Sequence, residues 1–333
     1  MKLMRYISKL MSILACLHLW SCDVHEFPYP VEDDDTSFVL HLDYNTNMPF
    51  YKTLEYTEDA RAIDGTQYAA RYIVKVYPAG SEELAKELYS FVFTKDDVTE
   101  LDNSITLDLK NGNYKFMVWT DFVVEGTEDD FIYDTSTFEK IVLKGDEYEG
   151  NSDLKDAFRG MVVSEVSPNV TEAIVVMERP LAKFKFISTD FDTFMSQMVE
   201  TGTIQQNSKA VSFEDFKIVF RYQGYLPNTY NMYTDQSSGS LTELEFNSSL
   251  RKVNDAEVEL GFDYVFSEAN ETSIYMTVEI CDLEGNVLSS FTTKEILLLR
   301  GKMTTVNVKF LNSSSNGGAE IDPDYNGSFD LEF

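Results

Sequence analysis

Acidic side chains are the most numerous groups in the sequence that could do chemistry, with 57 Asp and Glu residues against 27 Lys and Arg residues. A glycosidase needs two carboxyl groups at a defined separation, but no spacing in the sequence singles out such a pair. The sequence also contains no G-x-S-x-G nucleophile elbow, phosphate-binding glycine loop or H-E-x-x-H zinc helix. These residues therefore predict a protein that is not an enzyme and that needs no cofactor.

Residues 322–333 have the partial spacing of a calcium loop, with oxygen-bearing residues and a Gly where an EF-hand needs them. The last ligand position holds Phe333 instead of Glu, and no helix is predicted on either side. We therefore interpret the stretch as a turn that leads into a final strand. His25 and His41 are the only histidines outside the signal segment, and zinc sites need three or four clustered ligands. No metal site is predicted.

The charge of the chain excludes one large class of partner. The formal net charge is -30 at pH 7, and contacts to nucleic-acid phosphates require Lys or Arg to displace counterions. A role in nucleic-acid binding is therefore not expected. A surface of this charge is also repelled by anionic lipid.

The first 21 residues have the pattern of a secretory signal peptide, with a basic start and a short apolar stretch at 10–20. The stretch ends in Leu19-Trp20-Ser21-Cys22, which resembles the lipobox of bacterial lipoproteins, although Trp20 is bulkier than the usual residue there. Cys22 would then become the N-terminal residue and carry acyl chains that hold the protein on a membrane. The alternative is an ordinary secretion signal with Cys22 unmodified.

Residues 22–35 read as an extended, solvated tether, because they combine two prolines with the acidic run 32–35. In lipoproteins of Bacteroidetes, an acidic stretch after the lipidated Cys accompanies export to the cell surface, and this resemblance implies the same location here. Cys281 is the one cysteine left after Cys16 and Cys22. It is expected to be a small buried apolar residue.

Short stretches of alternating apolar residues dominate the rest of the chain and predict an all-β fold of β-sandwiches. Helical periodicity is confined to 82–89 and 191–199. The pair Asn111-Gly112 predicts a β-hairpin between its flanking strands. The predicted strands are 38–44, 71–77, 91–93, 105–109, 114–120, 138–143, 158–163, 173–177, 183–187, 213–222, 257–266, 273–280, 287–291, 294–299 and 304–310.

Pro180 marks the predicted domain boundary, because proline cannot donate to a central ladder and strand sets of similar size lie on either side. The mature chain is thus divided into an N-terminal domain, 36–179, and a C-terminal domain, 180–333. After a flexible loop at 312–318, the final alternating run places Phe329, Leu331 and Phe333 on one face. Such a terminal strand needs a sheet to join, in its own chain or in a neighbour.

The order of these features is similar to that of the fimbrillin-type surface lipoproteins of Bacteroidetes. The similarity covers nearly the whole mature chain and consists of a pattern of strands and turns. The residues that carry it are Cys22 in its lipobox and the segments 38–45, 60–65, 71–77, 112–122, 156–160, 177–187 and 318–324.

This resemblance implies two tandem transthyretin-like β-sandwich domains of Greek-key type, and a role as a fimbrial shaft, tip or anchor subunit or a related adhesin. In that family a protease cuts after an Arg that follows the first strand, and a strand of another subunit fills the vacated groove. Arg61 is the candidate cleavage point. The candidate removable strand carries Phe38, Leu40, Leu42 and Tyr44, and the candidate donor strand carries Phe329, Leu331 and Phe333.

The resemblance also implies the partners: other fimbrial subunits, the outer membrane through the lipid, and host or bacterial surface ligands. Anchor subunits of the family keep the first strand and the lipid. No further processing signal surrounds Arg61, which favours an anchor or minor subunit over a shaft subunit without settling the choice.

A glycan-binding surface lipoprotein of a polysaccharide-uptake system is the alternative function. It would share the signal, the lipid and the sandwiches, but it would need exposed aromatic rings to stack on sugars. Tyr225, Tyr230 and Tyr233 lie in a loop-like segment and are the candidates, although large aromatic residues more often serve burial.

Overall fold

The computed structural model describes residues 35–44, 68–81, 83–92, 104–145, 147–201, 212–268, 272–293 and 295–309. Within these ranges the chain is built from strands, one α-helix and two short 3-10 turns, so the predicted all-β class is confirmed. The elements are β1 (Thr36–Tyr44), β2 (Tyr68–Pro78), β3 (Lys86–Val92), β4 (Ser104–Leu109), β5 (Gly112–Val124), β6 (Tyr133–Asp134), β7 (Ile141–Leu143), β8 (Phe158–Val166), β9 (Glu172–Met177), β10 (Leu181–Ser188), α1 (Phe191–Glu200), β11 (Phe216–Gln223), β12 (Thr229–Asn231), β13 (Gln236–Ser238), β14 (Glu245–Ser248), β15 (Arg251–Lys252), β16 (Val258–Phe266), β17 (Thr272–Asp282), β18 (Val287–Thr292), β19 (Ile296–Leu298) and β20 (Met303–Val308).

The first sandwich packs a three-stranded sheet, in the order β4-β1-β9, on a four-stranded sheet, in the order β3-β2-β5-β8. Alternate residues of the strands point between the two sheets, as the period of a strand requires. They form a buried cluster that includes Phe38, Leu40, Tyr72, Phe116 and Phe158. This cluster is the core of the N-terminal half.

The second sandwich packs the sheet β15-β16-β10-β20 on the sheet β14-β11-β17-β18, and β19 adds to β17. Its buried cluster is rich in aromatic residues, among them Phe184, Phe186, Phe220 and Phe246. Helix α1 closes one side of this cluster with Phe191 and Phe194. The predicted helix at 191–199 is therefore confirmed.

A third core joins the two halves. The small sheet β13-β12-β7-β6 takes strands from both sides of residue 180, and β7 pairs directly with β12. Trp119 of β5 lies against Tyr230 of β12, with ring centroids 6.3 Å apart. Strands β2, β5 and β16 are consequently buried on both faces. The division at 179/180 falls between β9 and β10 and stays a prediction.

Two local predictions are wrong. Residues 86–89 of the predicted helix 82–89 belong to β3, because this segment pairs along β2 and tertiary pairing overrides local periodicity. The Asn111-Gly112 turn does not close a hairpin, since β4 pairs with β1 while β5 pairs with β2 and β8. A tight chain reversal can link two stacked sheets as readily as two neighbouring strands.

Buried ion pairs reinforce the sheets. On the face of β2 and β5 that points away from the core of the first sandwich, Arg71 lies directly opposite Asp121. The Arg71 guanidinium donates two hydrogen bonds to the Asp121 carboxylate, with lengths of 2.9 and 2.7 Å. Both side chains are buried. Burial raises the pKa of Asp121, while Arg71 acts in the opposite direction. The pair holds two central strands in one register.

The four-residue segment Asp153–Asp156, which we call the junction segment, ties the halves together. Asp153 accepts hydrogen bonds from Lys183, at 2.7 Å, and from the Tyr264 hydroxyl, at 2.8 Å. Asp156 accepts two hydrogen bonds of 2.7 Å from Arg179. These partners all lie in or next to the C-terminal half.

Lys155 of the junction segment forms a buried ion pair with Asp263 of β16. The same carboxylate accepts hydrogen bonds from the hydroxyls of Tyr148, at 2.6 Å, and Tyr222, at 2.7 Å. Burial lowers the pKa of Lys155, and the charge of Asp263 opposes that shift. Buried charges are tolerated when they are paired and hydrogen-bonded in this way.

No helix within the described ranges is long and apolar enough to cross a membrane.

We expect Asp156→Ala to destabilise the protein by about 3–5 kcal/mol, because it removes the bidentate partner of the buried Arg179 guanidinium. Thermal unfolding followed by circular dichroism measures the effect. The matched control is Lys252→Ala, which breaks an exposed ion pair with Asp255 and should leave the unfolding temperature unchanged. Equal unfolding temperatures for wild type and Asp156→Ala would contradict the assigned role of the junction segment.

Candidate functional site: strand β1 and its groove

Strand β1 contains the four residues that the sequence analysis placed on the candidate removable strand. Phe38 and Leu40 are 0% exposed, Leu42 is 3% exposed and Tyr44 is 9% exposed. The residues between them point outward and are half-buried or exposed. The predicted alternation of β1 is therefore confirmed, while its role as a removable strand stays a prediction.

Strand β1 is the central strand of its sheet. It pairs antiparallel with β4 over Thr36 to His41 and parallel with β9 over Val39 to Tyr44. Without β1, the main-chain groups of both neighbours that face it would be left unpaired. The position of β1 is therefore a groove with two hydrogen-bonding edges.

The floor of the groove is apolar and aromatic. The ring of Phe38 stacks on that of Phe116 at 5.1 Å with an interplanar angle of 3°. Tyr44 meets Phe158 edge to face at 5.1 Å, with an interplanar angle of 83°. Such ring pairs contribute to stability beyond the area that they bury.

One polar contact closes the end of the groove. The Tyr44 hydroxyl lies 3.2 Å from Oγ1 of Thr120, within hydrogen-bonding distance. Burial raises the pKa of Tyr44 well above its ordinary value and raises that of the nearby Tyr72 to about 12. Burial thus disfavours the ionised form of both hydroxyls.

The side-chain contacts that hold β1 are weak compared with those of the junction segment. Thr36 donates a 2.8 Å hydrogen bond to Asn111, and His41 lies 3.1 Å from Glu172 across the exposed face. Within the described residues, no ion pair of β1 is buried on both sides. Main-chain pairing and apolar burial, which depend little on sequence, therefore hold the strand in place.

Several of the predicted sites lie outside the described residues. They are Cys22, Arg61, the calcium-like stretch 322–333 and the candidate donor residues Phe329, Leu331 and Phe333. Their roles stay predictions. Cys281 is a free, buried thiol, and the expectation of a buried residue at that position is confirmed.

The three tyrosines that the glycan-binding alternative requires do not form an exposed aromatic surface. Tyr225 is 76% exposed, but Tyr230 is fully buried in the third core. Tyr233 is half-buried, with its ring against Tyr77 and the Lys115 amine 4.5 Å above it. The expectation that these aromatic residues serve burial is confirmed for Tyr230, and Tyr225 is the one candidate ring of the three that is well exposed.

Sequence reasoning missed one cavity of about 320 Å³ that lies between the halves. Its walls include Phe131, Leu241 and Leu244, with Lys155 and Tyr148 also lining it. The Lys155 amine is already bound to Asp263 and Tyr148, so it is not available as a reacting group. Within the described residues, no three His, Cys, Asp or Glu side chains cluster as metal ligands.

Comparison with known families assigns the chain. Residues 30–332 match one family, described as a family of unknown function, DUF6562. The chain belongs to this family. No curated protein matches the sequence of this DUF6562 member.

Solved structures are similar to this DUF6562 chain at low identity. The fimbrial anchor protein Mfa2 from Porphyromonas gingivalis is 11% identical, with a TM-score of 0.45, and the match covers 86% of this chain and 95% of that one. A candidate adhesin from Bacteroides ovatus is 12% identical, with a TM-score of 0.46 and coverage of 86% and 93%. A candidate polysaccharide-binding protein from Bacteroides thetaiotaomicron is 10% identical, with a TM-score of 0.45 and coverage of 87% and 99%.

We expect Leu40→Ala to destabilise this DUF6562 protein by about 2–5 kcal/mol, because it leaves a cavity under a strand that is buried on this face. The matched control is the adjacent Val39→Ala on the outward face, which should cost about 0.5 kcal/mol or less. Urea unfolding of both variants provides the measurement. Similar losses for the two would show that the groove does not hold β1 through its inner face.

Proposed function

We propose that the protein is a cell-surface subunit of a fimbria or a related adhesive structure, acting as an anchor, minor or shaft subunit. In the uncut form, which keeps β1, a lipid on Cys22 holds it at the outer membrane. A cut after Arg61 releases the lipid together with β1, and a strand of another subunit then takes the place of β1 and joins the protein to its neighbours. Host or bacterial surface ligands are its further partners, and it catalyses no reaction.

The observation that carries the proposal is the way β1 is held. Its inner face is fully apolar apart from the Tyr44 hydroxyl, and both of its edges pair with neighbouring strands. In β-augmentation, main-chain hydrogen bonds supply generic affinity and alternate side chains supply specificity. Another alternating strand, such as one carrying Phe329, Leu331 and Phe333, could satisfy the same groove.

The connection that follows β1 supports a processing step. Arg61 lies between the end of β1 at Tyr44 and the start of β2 at Tyr68. A cut at that position separates β1 from β2 and from all later strands of the first sandwich, and it leaves β1 and β2 themselves uncut. The buried ion pairs of Arg71 and of the junction segment stay with the larger fragment.

We expect an arginine-specific protease to cut the mature, lipid-free chain after Arg61, and an excess of a synthetic peptide of residues 320–333 to displace the strand. The peptide is expected to replace β1 because it supplies the same apolar inner face and pairs with both hydrogen-bonding edges of the groove. Mass spectrometry locates the cut, and fluorescence anisotropy of the labelled peptide measures its capture.

The control for this experiment is Arg61→Ala, which should resist cleavage at this position and ignore the peptide. A cut protein that keeps its original strand against excess peptide, and stays monomeric on size exclusion, would refute strand exchange. That result would favour a capped anchor subunit or the glycan-binding alternative.

We expect Cys22→Ser to move the protein from the membrane fraction to the soluble fraction of the cells that produce it. The reason is that each buried methylene of an acyl chain contributes about 0.8 kcal/mol to membrane binding. Detergent phase partitioning and incorporation of labelled palmitate measure the change. Persistence of the variant in the membrane fraction would show that something other than a lipid on Cys22 anchors the protein.

A further inference from the structure

The outer surface of β8 and β9 carries four large apolar side chains that the fold leaves in solvent. We call them the β8–β9 patch. Large apolar groups that cluster on a surface mark interaction sites more often than scattered ones do. The members and their exposed fractions are Met161 (46%), Val163 (63%), Ile174 (61%) and Val176 (55%).

The two strands belong to different sheets, but they run side by side as a splayed hairpin. Isolated antiparallel bridges join Ser167 to Val170 near the turn and Arg159 to Glu178 at the far end. Both bridges have the same register, so the residues between them lie in opposed positions. Opposed residues of antiparallel strands point to the same face. The opposed pairs in the patch are Met161 with Val176 and Val163 with Ile174.

Gly160 shows how closely the strands approach. A Cβ atom at this position would lie 2.5 Å from Cγ1 of Val175 and 2.9 Å from the carbonyl oxygen of Val176. No side chain fits between the strands at that point. Strands β8 and β9 are therefore in contact at this end of the patch, at the edge of the first sandwich.

Strand β9 connects the patch to the groove of β1. Its Val175 and Met177 side chains enter the core under β1, while Ile174 and Val176 point outward. The main chain of β9 pairs with β1 along the same residues. A molecule that places a strand in the groove therefore lies next to the patch.

The size of the patch indicates what kind of partner covers it. A stable protein interface buries about 800 Å² on each partner, which is more than four side chains offer. The net charge of -30 also opposes a contact between two copies that is held by this patch alone, and it opposes an anionic membrane surface. The patch needs a partner that is already held by a second contact.

We propose that the β8–β9 patch receives the body of the neighbouring β-sandwich subunit whose strand replaces β1. This inference rests on the proposed function. The exchanged strand supplies main-chain affinity, and the patch supplies apolar contact that fixes how the two bodies sit against each other.

The test uses the mature, lipid-free full chain, cut after Arg61, and compares two binding partners. One is the labelled peptide of residues 320–333, which brings a strand without a body. The other is the uncut chain, which brings a strand together with a β-sandwich body. Light scattering after size exclusion measures the assembly of the uncut chain with the cut protein. The variant Val163→Gln/Ile174→Gln changes an opposed pair of the patch and leaves the inner face of β9 intact.

The matched control is Leu283→Gln/Val253→Gln, which changes residues that are 68% and 50% exposed in the C-terminal half. We expect the patch variant to capture the peptide as the wild type does but to assemble at least about tenfold more weakly, because it loses apolar burial. The control should match the wild type in both measurements.

Four results would overturn the inference. Unchanged assembly of the patch variant would show that the neighbouring body does not touch the patch. If the patch variant loses peptide capture as strongly as it loses assembly, the patch belongs to the groove. If the patch variant instead loses self-association of the uncut protein, the patch forms a dimer that is independent of strand exchange. If the wild type captures neither partner, the proposed function fails, and this inference fails with it.

Discussion

The junction segment places Lys155 and Asp156 in the interior and Asp153 partly in solvent; Lys155 and Asp153 pair with residues of the C-terminal half, and Asp156 pairs with Arg179 at the boundary between the halves. Asp156 binds Arg179, Lys155 binds Asp263, and Asp153 binds Lys183. An unpaired charge at any of these positions would be costly, so the two halves must meet in one arrangement. The third core forms in the space that this arrangement defines, and the burial of β2, β5 and β16 on both faces follows from it.

Strand β1 is held in a different way from the rest of the first sandwich. Arg71 and Asp121 connect β2 to β5 through buried charges, whereas β1 is held by apolar contacts and main-chain pairing. Buried ion pairs demand particular partners, but an alternating strand with large apolar residues can be replaced by another of the same kind. The chain thus combines buried, charge-specific contacts between its halves with a strand that only apolar contacts and main-chain pairing hold, and the proposed strand exchange requires such a strand.

Strand β9 contributes to both the groove of β1 and the β8–β9 patch because its alternate side chains point in opposite directions. Val175 and Met177 belong to the floor under β1, and Ile174 and Val176 belong to the β8–β9 patch. A subunit that enters the groove would therefore meet one strand from both sides. Specificity for a neighbour can then arise from the body of that neighbour as well as from its strand.

The sequence alone determined what depends on local pattern. The alternation of β1 predicted its buried face, and the scarcity of helical periodicity predicted an all-β fold with a helix at 191–199. The pairing of strands depended on the tertiary structure, because a run such as 86–92 is drawn into a sheet by β2, and the Asn111-Gly112 turn joins two sheets. Tyr230, the buried charge pairs and the β8–β9 patch likewise became visible only in three dimensions, since the residues that form these contacts are distant in sequence and local pattern carries no information about which of them meet.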